Sequence, residues 1–101
     1  IKMRIISGAL KGRLIKFLKN SKTRPLKDKV RESIFNIIQH SKKIETKIEG
    51  SKVLDLYSGI GSFGIECLSR GAKKVNFIEQ DISAINILKD NLINLSIISK
   101  S

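Results

Sequence analysis

Residues 53–64, VLDLYSGIGSFG, constrain the fold of this chain more than any other stretch. An apolar run of strand character leads into a turn with glycines at 59, 61 and 64, and a short helical segment runs on to about Arg70, with Gly71 at the position just past the helix end. A second β-branched and apolar run, residues 75–79, follows. Ala84, Ile85, Leu88, Leu92 and Leu95 then recur at helical spacing behind Asp81 or Ser83, either of which suits an N-cap. Strand, helix, strand, helix within about 40 residues is the start of a parallel α/β sheet, because parallel neighbours require a crossover. Two strands leave sheet edges to be managed, so marginal stability or association is expected of these elements alone.

The N-terminal half reads differently. RIIS (residues 4–7) and RLIKF (residues 13–17) are short apolar runs separated by GALKG, which predicts a basic β-hairpin. Pro25 suits the first turn of a following helix, where its missing N–H costs nothing, and Asp28 complements the helix dipole there. Val30, Ile34, Ile37 and Ile38 predict one buried stripe, with Phe35 beside it and Lys27 and Arg31 on another face. The polar stretch at residues 40–52, broken by Gly50, sets the expected boundary between a basic arm, residues 1–49, and a body, residues 50–101.

Charge follows the same division. Of the net +11, residues 1–31 carry eleven Lys/Arg against Asp28 alone, whereas residues 53–101 carry five basic and five acidic residues. A block of this kind is either an electrostatic footprint for a polyanion such as nucleic acid or a solvated surface. No run approaches the length of a membrane span, and the start lacks signal-peptide character, so a cytoplasmic location without membrane association is expected. The lone Cys67 excludes an internal disulfide and a cysteine-based zinc cluster, and no metal is expected. Cys67 reads as a small buried hydrophobe, and His40 as a partner for a helix C-terminus.

Two ligands compete for the glycine turn. Gly59, Gly61 and Gly64 satisfy the G-x-G-x-x-G dinucleotide pattern, and Glu79, twenty residues on, suits a ribose hydroxyl. Asp55, at the loop end of the first strand, discriminates between them: a carboxylate there attracts a cationic group and does nothing useful for a pyrophosphate. S-adenosylmethionine, with adenosine at one end and an ammonium at the other, suits both features. Gly64 reads as a close-packing residue.

VLDLYSGIGSFGIECLSRGAKKVNFIEQD resembles the S-adenosylmethionine motifs of class I methyltransferases. With MRIISGALKGR and TRPLKDKVRESIFN, it resembles the RsmD family of bacterial 16S rRNA guanine-N2 methyltransferases, from Met3 to about Leu95. The resemblance implies an α/β fold: the start of a Rossmann-like methyltransferase sheet, incomplete here, preceded by the basic hairpin and helix. It also implies S-adenosylmethionine as cofactor and 16S rRNA, or a small-subunit assembly intermediate, as partner. Asp55, Gly59 and Gly61 would form the cofactor loop, lined by Tyr57 and Ser58. Glu79 would hold the ribose, Asp81 would lie near the adenine, and Thr23, Arg24 and Pro25 would approach the methionine end. Arg4, Lys11, Arg13, Lys27 and Arg31 would touch RNA phosphates.

Leu26 replaces the family's usual threonine after TRP. Ile60 stands where a small or hydroxylated residue is common, and is expected to narrow the cofactor edge. These enzymes carry an Asp/Asn-Pro-Pro-aromatic motif for the target amine; this sequence has one proline, Pro25. The expectation is therefore an N-terminal part that holds the cofactor but does not catalyse transfer alone. The rival readings are a catalytically silent RNA-binding or assembly module and a nicotinamide-dependent oxidoreductase, the latter disfavoured by Asp55 and the basic arm.

Overall fold

The computed structural model describes residues 2–16, 28–40, 47–56 and 59–101. Two antiparallel strands, β1 (Lys2–Arg4) and β2 (Leu14–Lys16), pair with Met3 opposite Ile15. Helix α1 (Asp28–His40) follows. Strand β3 (Lys52–Leu56) then crosses through α2 (Ser62–Ser69) to β4 (Lys74–Ile78), and α3 (Ile82–Asn94) leads to a 3-10 turn (Ile98–Lys100). Strands β3 and β4 are parallel, with Val53 opposite Val75 and Asp55 opposite Phe77. The basic hairpin and the parallel strand–helix–strand unit are thus both present.

The hairpin begins earlier than its apolar run implies. Pairing persists at Ile5, whose N–H donates to Arg13 O at 2.9 Å while its carbonyl accepts from Gly12 N–H at 2.8 Å. Ile6 and Ser7 then leave the ladder, because their N–H groups donate to the two carboxylate oxygens of Glu66 on α2, at 2.9 and 3.0 Å. Ala9 N–H reaches Ser69 O, and Leu10 N–H reaches the Ser69 hydroxyl. A local strand signal has yielded to a tertiary partner.

Helix α1 departs from its expected stripe. Phe35 is fully buried, stacking on Phe63 at a centroid distance of 4.9 Å, while Ile34 and Ile38 are half-buried and Ile37 is 59% exposed. Two residues apart, Phe35 and Ile37 point to nearly opposite sides of the helix, so burying the ring, with the larger area to bury, turns Ile37 into solvent. The expected Pro25 start lies outside the described residues, as does the side chain of Val30.

Helix α2 ends in a Schellman motif: Gly71, at φ 104°, donates to Leu68 O, and Ala72 donates to Cys67 O. Asp81 is the N-cap of α3, accepting from Ser83 and Ala84 N–H, so of the two candidate caps it is the one used. One core joins the hairpin (Met3, Ile5, Ile15) to α2, β4 and α3 through Ile65, Val75, Leu88 and Leu92.

Candidate functional site

The site is built where β3 and β4 end. In a parallel pair the carboxyl ends lie together, and the crossover that starts there leaves a crevice. The inner face of this sheet carries Asp55 from β3 and Phe77 from β4, one opposite the other; Glu79 follows β4 directly. Gly61 adopts φ 91°, left-handed backbone, and a Cβ there would overlap the Leu88 side chain. Both the turn and the close approach of α3 therefore require glycine at 61. A Cβ on Gly64 would overlap the Phe77 ring, so this glycine serves helix-to-sheet packing, as its position implied. Among the described residues, none comes within 4 Å of a Cβ placed on Gly59.

Glu79 organises the turn. One carboxylate oxygen accepts from Gly59 N–H at 2.7 Å, and the other accepts from Gln80 and Asp81 N–H, each at 2.9 Å. The bonds from Asp81 and Gly59 hold its carboxyl below the ordinary value. Asp55 is the opposite case. Only 8% exposed, it accepts from Gly64 N–H at 3.1 Å. Burial pushes its pKa up, the Gly64 bond works against that rise, and the Glu79 charge adds to it. A buried carboxylate with a second negative charge nearby is a site that a cation relieves. Glu79, ionised and holding lone pairs beyond its three N–H bonds, retains capacity to accept from hydroxyls.

Next to Glu79 lies a cleft of about 280 Å³, walled by Phe77, Ile85, Leu88 and Ile98 with Lys89 at its side. Its apolar walls beside the Glu79 carboxylate suit one flat, partly polar group. Asp81 spends its carboxylate on the α3 cap. Ile60 turns its side chain into the core at 7% exposure, so it does not narrow the ligand edge as expected. The Cys67 thiol is pushed up to about 12, chiefly by burial, which makes it an inert hydrophobe. No group of metal-ligating side chains occurs among the described residues, and no helix among them is long and apolar enough to cross a membrane.

Of the basic residues, Arg4, Lys11 and Arg13 are exposed on the hairpin. Arg13 also donates from Nη2 to Asn94 O at the end of α3, at 3.2 Å. Thr23, Arg24, Pro25, Lys27, Tyr57 and Ser58 lie outside the described residues, as does the side chain of Arg31. Three residues escaped the sequence reading: Glu66 and Ser69, which seat the hairpin loop, and Asn91, which ties β2 to the glycine turn. Only Glu66 left a trace in sequence, as the i,i+4 partner of Arg70.

A family model described as "Conserved hypothetical protein 95" matches residues 3–101. "Putative rRNA methyltransferase YlbH" of Bacillus subtilis is 44% identical over 95 residues, covering 94% of this chain and 48% of its own length. "Ribosomal RNA small subunit methyltransferase D" of Haemophilus influenzae is 42% identical over 90 residues, covering 89% of this chain and 44% of its own. Among solved structures, "Putative methyltransferase yhhF" of Escherichia coli superposes with a TM-score of 0.78 at 32% identity, over 94% of this chain and 47% of that one. The chain spans about half the length of the curated relatives it matches.

Proposed function

The chain belongs to the Conserved hypothetical protein 95 family, and from that membership and the geometry of the glycine turn we propose that it holds S-adenosylmethionine for methylation of guanine N2 in 16S rRNA. One observation carries the reading. Two carboxylates, Asp55 and Glu79, flank a glycine turn at the ends of adjacent parallel strands, and Glu79 is bonded to that turn through Gly59. When bound, the donor supplies a methyl group on a sulfonium. Asp55, strained by its own desolvation, takes the ammonium of the methionine moiety. Glu79 accepts from the ribose hydroxyls, and the apolar cleft beside it, next to the Asp81 turn, receives the base. Gly59 admits the ligand to the backbone, and Gly61 shapes the turn that presents it. The resemblance adds Tyr57 and Ser58 as lining and Thr23, Arg24 and Pro25 at the methionine end.

Residues 1–49 are then the RNA-contacting arm and residues 50–101 the donor-holding part. Arg4, Lys11, Arg13, Lys27 and Arg31 touch phosphates and position the RNA without reading its sequence. The partner is 16S rRNA or a small-subunit assembly intermediate, which places the work in the cytoplasm. With Pro25 its one proline, the sequence supplies no Asp/Asn-Pro-Pro-aromatic group for the target amine. These residues bind and orient; they do not complete the transfer.

The test is calorimetric titration of the intact protein with S-adenosylhomocysteine and, separately, NAD. We expect binding of the first alone, weakened about a hundredfold by Glu79→Ala, the loss of two hydrogen bonds to a charged group. NAD binding without S-adenosylhomocysteine binding would move the protein to the oxidoreductases; RNA binding with neither would make it a silent module. Labelled methyl transfer to 16S rRNA, followed by nucleoside analysis, decides the guanine N2 assignment.

A further inference from the structure

Asn91 lies in the last turn of α3 and is 2% exposed. A buried amide on a helix is costly unless its polar atoms are satisfied, and asparagine is a mediocre helix former besides. Here the side chain is satisfied by two distant parts of the chain. Its Oδ1 accepts from Lys16 N–H at 2.8 Å, and Nδ2 donates to Lys16 O at 2.9 Å, so it serves the end of β2 as a neighbouring strand would. The same Nδ2 donates to Ile60 O at 3.2 Å, inside the glycine turn. Both amide hydrogens are thereby used.

The turn is gripped from two sides. Glu79 holds the N–H of Gly59, and Asn91 holds the carbonyl of the next residue. One turn further along α3, Asn94 O accepts from Arg13 of the hairpin. The hairpin that bears Arg4, Lys11 and Arg13 is therefore seated on the same helix face that holds the glycine turn, and Asn91 is the side chain common to both.

We infer that Asn91 is a positioning residue that fixes the basic hairpin and the glycine turn as one unit, so that donor affinity depends on it although it does not touch the donor. The dependence on a donor rests on the function proposed above; the tie between hairpin and turn does not. Because coupling free energy is reciprocal, load on the hairpin reaches the turn and occupancy of the turn stiffens the hairpin.

The experiment uses the intact protein with Asn91→Ala, Asn91→Asp and, as a core control at the opposite end of β3 from the glycine turn, Ile48→Ala. Asn91→Asp conserves shape but turns an oxygen toward the two carbonyls, and so serves if the alanine variant does not fold. Amide exchange is read at Lys16 and Gly59, and the Kd for S-adenosylhomocysteine by calorimetry. Each Asn91 variant should speed exchange at both amides and raise Kd about tenfold, the cost of one lost buried hydrogen bond. Ile48→Ala should lower the melting temperature yet leave Kd within about twofold, since additivity holds for separate sites. Unchanged Kd in the Asn91 variants, or an equal rise in Ile48→Ala, overturns the inference. If the wild-type protein binds no S-adenosylhomocysteine, the donor reading fails on its own and exchange alone decides: unaltered protection at Lys16 and Gly59 overturns the tie, and faster exchange at both upholds it.

Discussion

Burial makes Asp55 a pH-dependent element of the protein's stability. Folding raises its pKa, so the native state holds the proton more tightly than the unfolded chain does. Stability therefore falls as pH rises from the ordinary carboxyl value of 3.8 through the raised one, and at neutral pH the ionised group is a cost. Asp55→Asn keeps an oxygen for Gly64 N–H and removes the charge. It should melt higher than wild type at pH 7, converge with it below pH 3.8, and bind S-adenosylhomocysteine more weakly. Thermal scans across pH check the first two points, and a lower melt at pH 7 would mean that native partners already satisfy the charge. A second position stores backbone strain. Ser96, at φ 58°, closes a Schellman motif in which Ile97 N–H reaches Leu92 O, a place where glycine is at ease. Ser96→Gly should add about 1 kcal/mol in urea unfolding.

Between elements, the decisive interaction is the seat of the hairpin loop on α2. Glu66 is fully buried, accepts from Ile6 and Ser7 N–H, and pairs with Arg70, whose guanidinium lies 4.4 Å from the centre of the Phe35 ring. One carboxylate thus joins the hairpin, α2 and, through Arg70, α1. Glu66→Ala removes the buried carboxylate that two backbone donors and the Arg70 guanidinium share, and should cost about 3–5 kcal/mol. Urea unfolding measures the loss, and exchange at residues 6–10 should accelerate first if the hairpin detaches before the rest. Little of this was legible beforehand. The spacing of residues 53–95 carried the parallel unit because periodicity and caps are local properties. The hairpin's true boundary and the rotation of α1 were not legible, because Glu66 and Phe63, which set them, are remote in sequence.

Across the molecule, the sheet has two unlike faces. Val75 and Asp55 turn inward, whereas Leu54, Leu56 and Ile78 are exposed by 60%, 58% and 50%. Parallel sheets are ordinarily covered on both faces, and a contiguous apolar strip in water favours association. The 101-residue chain expressed alone should sediment as a concentration-dependent oligomer despite its net charge of +11. Leu54→Gln with Leu56→Gln should return it to a monomer. A wild-type monomer at every concentration would show that the strip is tolerated.

The glycine turn, its two acids and the basic arm were readable from residues 4–81 as they stand, since each depends on residue type and short spacing. Periodicity says which residues share a face, and charge says which segment is basic. Contact across the fold is a different kind of fact. That Asn91 clamps Lys16 and Ile60, that Glu66 receives the hairpin loop, and that Ile60 enters the core follow from how α2 and α3 pack on the strands. A buried hydrogen bond between remote residues has no period and no motif; it exists because desolvated polar groups must find partners wherever the packed chain brings them together.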